Sequence, residues 1–263
     1  MTLLNLYHIF PISELYEFIS DDIPKNIDKL DSNHKIMWNY NNGSEKNDNV
    51  IYIKSTNIMY DSFIKRIPKL LAMINFLNKK YQKVTIYLIL TNCKKSMPLD
   101  CKNDVPPDCK ITPYNANSGY TDFTNKTICI FREEEFEKVL FHELMHYFEL
   151  DYRNITFNQS SHVNHTLNSF NNINEAFADY WGIIYHCIYL SLIIGKKASS
   201  ILSIEYEFIQ NQATIVNNFL ELGNWSDKKT IIQKTNTYHY YIIKYLLFRK
   251  TMNLSISPTI NDF

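Results

Sequence analysis

The sequence contains an H-E-x-x-H motif at residues 142–146. On a helix, the four-residue spacing places His142 and His146 on one face, one turn apart, where both imidazoles can reach a single metal ion. Glu143 follows the first histidine and is expected to face the metal-bound water rather than take a ligand position. There it can accept the proton of that water and later deliver it to a leaving amine. The motif therefore indicates hydrolysis by metal-activated water.

A catalytic zinc ion needs a third protein ligand and keeps a fourth position for water. Glu175, in the segment N-E-A-F-A-D at 174–179, is the predicted third ligand. Asp179 follows four residues later, so on a helix it faces the same way and can accept the other imidazole N–H of His142. The sequence thus predicts one Zn²⁺ held by His142, His146 and Glu175, with Asp179 fixing the tautomer of the first ligand.

Each of the two segments also has a simpler interpretation. The motif could be a helix with two ordinary half-buried histidines, and Glu175 could lie in a solvated acidic helix start. Apolar neighbours argue against both, because a helix buried on most sides does not carry histidines and carboxylates without a use for them. These neighbours are Val139, Leu140, Phe141, Leu144, Met145 and Phe148 in the first segment, and Phe177, Ala178, Tyr180, Trp181, Ile183 and Ile184 in the second.

Hydrophobic periodicity predicts the elements that must position these residues. Strands are expected at 50–54, 84–90 and 127–131, and helices at 12–30, 62–80, 133–150, 174–194, 200–221 and 228–250. The β-α-β order of the first half predicts helices packed on a mixed sheet. We expect an α+β fold in a single domain, 1–263, with a sheet-bearing N-terminal lobe at 1–150 that ends in the motif helix and a helical C-terminal lobe at 151–263.

The two segments H-E-L-M-H and N-E-A-F-A-D together resemble the gluzincin metallopeptidases, which include thermolysin-like enzymes and lethal-factor-like toxin domains. The resemblance covers residues 127–185. It implies a zincin-like fold, with zinc in the cleft between the lobes and an edge strand that holds extended substrate. The gap between His146 and Glu175 is longer than in thermolysin-like enzymes, and the subfamily stays open. His162 and His165 lie in this gap, where solvated loop positions are preferred over a second metal site.

The resemblance also implies a tyrosine or histidine, on a helix after the third ligand, that stabilises the oxyanion of the transition state. The candidates are His239 and Tyr241 first, then Tyr238 and Tyr240. Because the chain has 19 tyrosines, core packing is the alternative for each. Asn115 and Ala116 resemble the N-A segment that binds substrate backbone in thermolysin-like enzymes, next to an edge open to β-addition.

Charge and composition limit the partners of the predicted site. The 27 basic and 27 acidic residues balance, which argues against a nucleic-acid surface. No window of about 20 apolar residues lacks a polar break, so no membrane span is expected. The N-terminal residues lack the basic region of a signal peptide, so the sequence predicts a cytoplasmic protein; secretion or delivery into a host cell is left open. Together with the odd total of cysteines, this favours thiols over disulfides at Cys93, Cys101, Cys109 and Cys129.

The predicted function is a zinc-dependent peptidase that acts on protein or peptide substrates, with Glu143 as general base. A catalytically inactive zinc-binding interaction protein is one alternative, although a site that only binds metal would not need Glu143. An aminopeptidase of the same fold is another, and it would need an acidic group to hold the substrate amine. The oligomeric state is not predicted.

Overall fold

The computed structural model describes residues 32–38, 49–55, 57–95, 116–151, 173–219 and 239–253. Within them the fold is α+β, as predicted, with a sheet in the first half and helices in the second. The helix predicted at 12–30, and the histidines His162 and His165, lie outside these residues. Cys93, Cys129 and Cys187 carry thiols rather than disulfides; Cys101 and Cys109 are outside the described part.

Five strands form one mixed sheet in the order β1-β2-β3-β5-β4. They are β1 (Ser32–Trp38), β2 (Asn49–Ser55), β3 (Thr85–Thr91), β4 (Gly119–Asp122) and β5 (Thr127–Arg132). The three central strands are parallel, and β1 and β4 are antiparallel to their neighbours at the two edges. The predicted mixed sheet is confirmed. Its central strands are mostly apolar, with Val, Ile and Leu interrupted mainly by aromatic residues and cysteine, because parallel strands are buried on both faces.

Two helices cross from β2 to β3, as a parallel pair requires. They are α1 (Asn57–Ile64) and α2 (Ile67–Leu77), where the sequence predicts one continuous helix at 62–80. The interruption has a local cause at Pro68, the second residue of α2. Proline disfavours helical backbone in the residue before it and cannot donate a backbone hydrogen bond, so it begins a helix rather than continuing one.

The second half contains the helices that build the site. These are α3 (Phe136–Tyr147), α4 (Ile173–Ile194), α5 (Ala198–Phe219), a π-helical turn (His239–Ile243) and α6 (Lys244–Asn253). Helix α3 is shorter than the predicted 133–150, because Glu135 precedes it with a left-handed φ of 56° and Glu149 follows it with a φ of 58°. Of the helix predicted at 228–250, the structure describes residues 239 onward. This described part starts with the π-helical turn.

Helix α4 lies between two hydrophobic cores. Ala178 and Tyr189 belong to the core shared with the sheet, α2 and α3, whereas Ile183 and Cys187 pack with α5, the π-helical turn and α6. This explains why α4 is apolar nearly all round. Residues Asn174–Ile194 are long and apolar enough to cross a membrane by length and composition alone, a test that the core helix of a soluble protein also passes.

Helices α3 and α4 lie in close backbone contact at Gly182. A Cβ atom at this position would lie 2.9 Å from the backbone N of His142 and 3.0 Å from its Cα. Glycine therefore permits a separation that no other residue allows. The approach occurs beside the first histidine of the motif, so the packing of these two helices and the geometry of the site depend on the same contact.

We predict that Gly182→Ala destabilises the protein. Alanine raises helix propensity by about 1 kcal/mol, but the new methyl group meets backbone atoms that cannot rotate away, and overpacking of this kind costs up to about 3 kcal/mol. The expected net loss is about 2 kcal/mol in the free energy of unfolding, measured by urea denaturation. Ser203→Ala, on the exposed side of α5, is the matched control. Equal stability of Gly182→Ala and this control would contradict the close approach.

Candidate metal centre

Helix α3 carries both histidines of the motif into the interior. His142, Glu143 and His146 are 7%, 6% and 8% exposed. The two imidazole rings lie 4.7 Å apart between centroids, at an interplanar angle of 79°, and their Nε2 atoms are 3.0 Å apart. The predicted placement of both rings on one helix face is confirmed by this geometry.

Glu175 completes the group from the first turn of α4. Its Oε2 lies 3.2 Å from Nε2 of His146 and 3.5 Å from Nε2 of His142. One ligand atom from each of the three residues falls within 4.8 Å of the others. The structure thus brings together the three predicted ligands from two helices that are separated along the chain.

The spacing of these atoms fits a zinc ion. Tetrahedral Zn²⁺ with bonds of about 2.0–2.1 Å separates its ligand atoms by about 3.3 Å. The three observed separations are 3.0, 3.2 and 3.5 Å, which bracket that value. Two imidazole nitrogens and one carboxylate oxygen are also a donor set that zinc accepts in catalytic sites.

The other nitrogen of each ring is held by a buried carboxylate. Nδ1 of His142 donates to Oδ1 of Asp179 over 2.9 Å, the contact that the sequence predicts. Nδ1 of His146 donates to Oδ2 of Asp151 over 2.6 Å. In the neutral imidazole, both hydrogen bonds keep the proton on Nδ1 and leave the lone pair on Nε2, where a metal would bind.

Sequence reasoning missed Asp151. This residue is fully buried and lies just past the end of α3, where the left-handed residue Glu149 turns the chain back toward His146. The signal available in the sequence was an acidic residue within one turn after the motif helix. Such a residue could equally be solvated at the helix end. Only the course of the backbone in the structure identifies Asp151 as the partner of His146.

Lys244, at the start of α6, was also missed. Its ammonium group is 2.9 Å from Oδ2 of Asp179, and the residue is 5% exposed. Asp179 is thus shared between His142 and Lys244. Removing water from a carboxylate is unfavourable unless it is paired, so Lys244 stabilises the charged form of Asp179 in the interior.

The carboxylates around the two histidines favour a positive charge at this site. Burial by itself would lower the pKa of His142, but hydrogen bonds to Asp179 and Glu175 outweigh it and hold the pKa well above its usual value. Burial would raise the pKa of Glu175, but its hydrogen bonds to both histidines hold it well below its usual range. A divalent cation at the three candidate ligand atoms would be stabilised by the same carboxylates that stabilise the charged imidazoles.

Glu143 lies beside the three ligands and is held by the edge strand. Oγ1 of Thr121, in β4, donates to Oε2 of Glu143 over 2.7 Å and is 3.2 Å from its backbone oxygen. Burial raises the pKa of the Glu143 carboxyl, against the opposing effect of His142 and His146. A carboxylate with a raised pKa is a stronger base, so it takes up a proton more readily near neutral pH.

A cavity adjoins His142 and Glu143 and contains several residues singled out in the sequence. Ala116, Tyr240 and Tyr241 line it. Tyr240 is nearest the ligands: its ring centroid lies 5.8 Å from that of His142. Burial raises the pKa of its hydroxyl, as do nearby carboxylates and a hydrogen bond to Glu175. Asn115, Tyr238 and the side chain of His239 lie outside the described part of the chain.

Comparison with known proteins finds a relative of part of this chain. Over 130 residues the chain is 27% identical to an uncharacterized protein of Acanthamoeba polyphaga mimivirus. The match covers 49% of this chain and 28% of that relative. No family model matches the chain, and no solved structure matches it. The site is therefore interpreted from its own geometry.

We predict that Asp151→Asn lowers zinc affinity by about 10-fold to 100-fold, the usual effect of removing the charged partner of a metal-binding histidine. Asparagine has nearly the same shape, so the fold should persist while the imidazole of His146 becomes less basic. Zinc affinity is measured by competition with a chromophoric chelator. Glu149→Gln makes the same chemical change at an exposed site two residues away, and we expect it to leave the affinity unchanged. Equal affinities of the two variants would contradict the role of Asp151.

Proposed function

We propose that this protein is a zinc-dependent peptidase with a zincin-like fold. The observation that supports the proposal most strongly is the convergence of Nε2 of His142, Nε2 of His146 and Oε2 of Glu175, with Glu143 buried next to them. These three residues would hold the ion. Zinc, when bound, would lower the pKa of a water molecule to about 7 and polarise the substrate carbonyl.

Glu143 moves the protons of the proposed reaction. Its carboxylate accepts a proton from the attacking water and then donates it to the amine that leaves when the C–N bond breaks. Thr121 keeps this carboxylate in place through the 2.7 Å hydrogen bond. Since Thr121 belongs to β4 and Glu143 to α3, the base is fixed between the sheet and the motif helix.

Strand β4 is the element on which a substrate would lie. Among the described residues it pairs with β5 on one side and has no strand on the other. An extended peptide could add to that edge through backbone hydrogen bonds, directly beside Glu143. This arrangement favours extended, flexible stretches of polypeptide as substrates.

Tyr240 is the proposed donor to the oxyanion of the transition state. The sequence ranks His239 and Tyr241 ahead of it, but the ring of Tyr240 contacts His142, and its hydroxyl reaches Glu175. A hydroxyl beside the ligands can donate to the oxygen on which negative charge develops. The ring of Tyr241 is turned toward Lys244, whose Nζ lies 5.5 Å from its centroid.

We predict that Glu143→Gln retains zinc and loses peptidase activity. Glutamine keeps the size of the side chain but cannot accept the proton, which should lower kcat by about 10²-fold to 10⁴-fold. Zinc content is measured by elemental analysis, and cleavage is measured with a mixed peptide library. Lack of zinc in the reconstituted wild type would contradict the metal centre. Bound zinc without cleavage of any peptide would contradict the peptidase and favour the zinc-binding interaction protein.

We predict that Tyr240→Phe lowers kcat by about 10²-fold to 10³-fold with little change in KM, because one oxyanion donor is lost and the ring is kept. Tyr241→Phe is the matched control, because it removes the neighbouring hydroxyl from the same cavity. A larger loss for Tyr241→Phe than for Tyr240→Phe would assign the oxyanion role to Tyr241 instead.

A further inference from the structure

The cavity beside His142 and Glu143 has a volume of about 60 Å³. This is room for a few water molecules or for one short side chain. It lies between the beginning of β4, the first turns of α3 and the start of α6. Any substrate held along β4 with its reacting carbonyl at the three ligands would place a neighbouring group at this cavity.

Three lysines line the cavity: Lys95, Lys138 and Lys244. The lining carboxylates are also three: Glu135, Glu143 and Asp179. Burial would raise the pKa of Glu135, but Lys138, Lys95 and Lys244 lower it to about 2. Since the lysines and carboxylates balance, the group that the cavity can bind depends on which of these charges is least firmly paired.

The lysines differ in how firmly they are paired. Lys244 is bound to Asp179 at 2.9 Å, and Lys138 is bound to both Glu135 and Glu205. Lys95 has a longer contact, with its Nζ 3.4 Å from Oε2 of Glu135, and its side chain is 21% exposed. Its ammonium group can therefore turn to a ligand with the smallest loss of existing interactions.

The wall of the same cavity also contains a buried hydroxyl group. Ser118 precedes β4 and is 3% exposed, and its Oγ is buried with no hydrogen-bond partner among the described residues. Buried polar atoms are nearly always hydrogen-bonded, so a hydroxyl of this kind at a cavity wall is available to a water molecule or to a ligand group that accepts from it. A carboxylate could accept from Ser118 and Lys95 together.

We propose that this cavity binds a carboxylate of the substrate and so selects which peptide bond is cleaved. The carboxylate comes from an aspartate or glutamate side chain next to the cleaved bond, or from a free C-terminus within reach of it. The inference rests on the proposed peptidase function. It assigns selectivity to Lys95 and Ser118, which lie on the sheet side of the cavity and hold no metal.

The test uses zinc-loaded protein and two randomised decapeptide libraries, one with free and one with amidated C-termini. Products are identified by mass spectrometry. We expect aspartate and glutamate to be enriched about ten-fold over asparagine and glutamine at one position flanking the cleaved bond, as a charge-assisted contact predicts. Enrichment in both libraries identifies a side-chain carboxylate. Cleavage confined to the free-acid library, near its C-terminus, identifies the terminal carboxylate.

Two variants test the named residues. Lys95→Met should reduce the enrichment to about two-fold or less and preserve cleavage of neutral sequences, and Ser118→Ala should reduce it partly. Lys196→Met, at an exposed position between α4 and α5, should keep the wild-type profile. Cleavage without any preference for carboxylates, or an unchanged preference in Lys95→Met, would overturn the proposal and leave the peptidase intact.

A second readout does not require turnover. Immobilised, zinc-loaded Glu143→Gln, with and without Lys95→Met, is incubated with both libraries, and retained peptides are sequenced. Enrichment of acidic peptides that depends on Lys95 supports the cavity even if the wild type cleaves nothing, in which case only the peptidase proposal fails. Absence of that enrichment overturns the carboxylate proposal.

Discussion

The contact between α3 and α4 at Gly182 is the constraint on which the candidate metal centre depends. Two of the candidate ligands come from α3 and one from α4, and the oxygen of Glu175 lies 3.2 Å from Nε2 of His146. A Cβ at position 182 would lie within 3.0 Å of backbone atoms of His142, so a larger residue there would push the two helices apart. The positions of the candidate ligands therefore depend on backbone packing as well as on their own side chains.

The close packing has an electrostatic consequence. It buries two imidazoles together with several carboxylates, and groups of this kind are stable in the interior only when each charge is paired. Asp151 pairs with His146, Asp179 pairs with His142 and Lys244, and Thr121 holds Glu143. The pairs come from the end of α3, from α4, from α6 and from β4. The site thus connects the edge of the sheet to the C-terminal helices through polar contacts.

The sequence predicted that His142, His146, Glu175 and Asp179 lie together because their spacing follows helix geometry: His142 and His146 are four residues apart, and so are Glu175 and Asp179. It predicted the central strands because they are continuous apolar runs. It did not predict β1, where Lys35 and Met37 face solvent and Ile36 and Trp38 face the core. Nor did it predict β4, which is four residues long and contains glycine and aspartate, residues that are depleted in strands. Both are edge strands whose formation depends on pairing with a neighbour.

The difference between local sequence patterns and contacts between elements also explains which parts of the site were not predicted. Asp151, Thr121 and Lys244 make their contacts between elements, and no local pattern marks them; Tyr240 was among the predicted candidates but ranked behind His239 and Tyr241. The ranking of the tyrosines depended on the direction each side chain takes from a π-helical turn, whose wider winding shifts side chains relative to an α-helix. At His239–Ile243 this turn places Tyr240 toward His142 and Tyr241 toward Lys244. A π-helical turn at this place thus directs one hydroxyl toward the candidate metal site from a segment that supplies none of the candidate ligands.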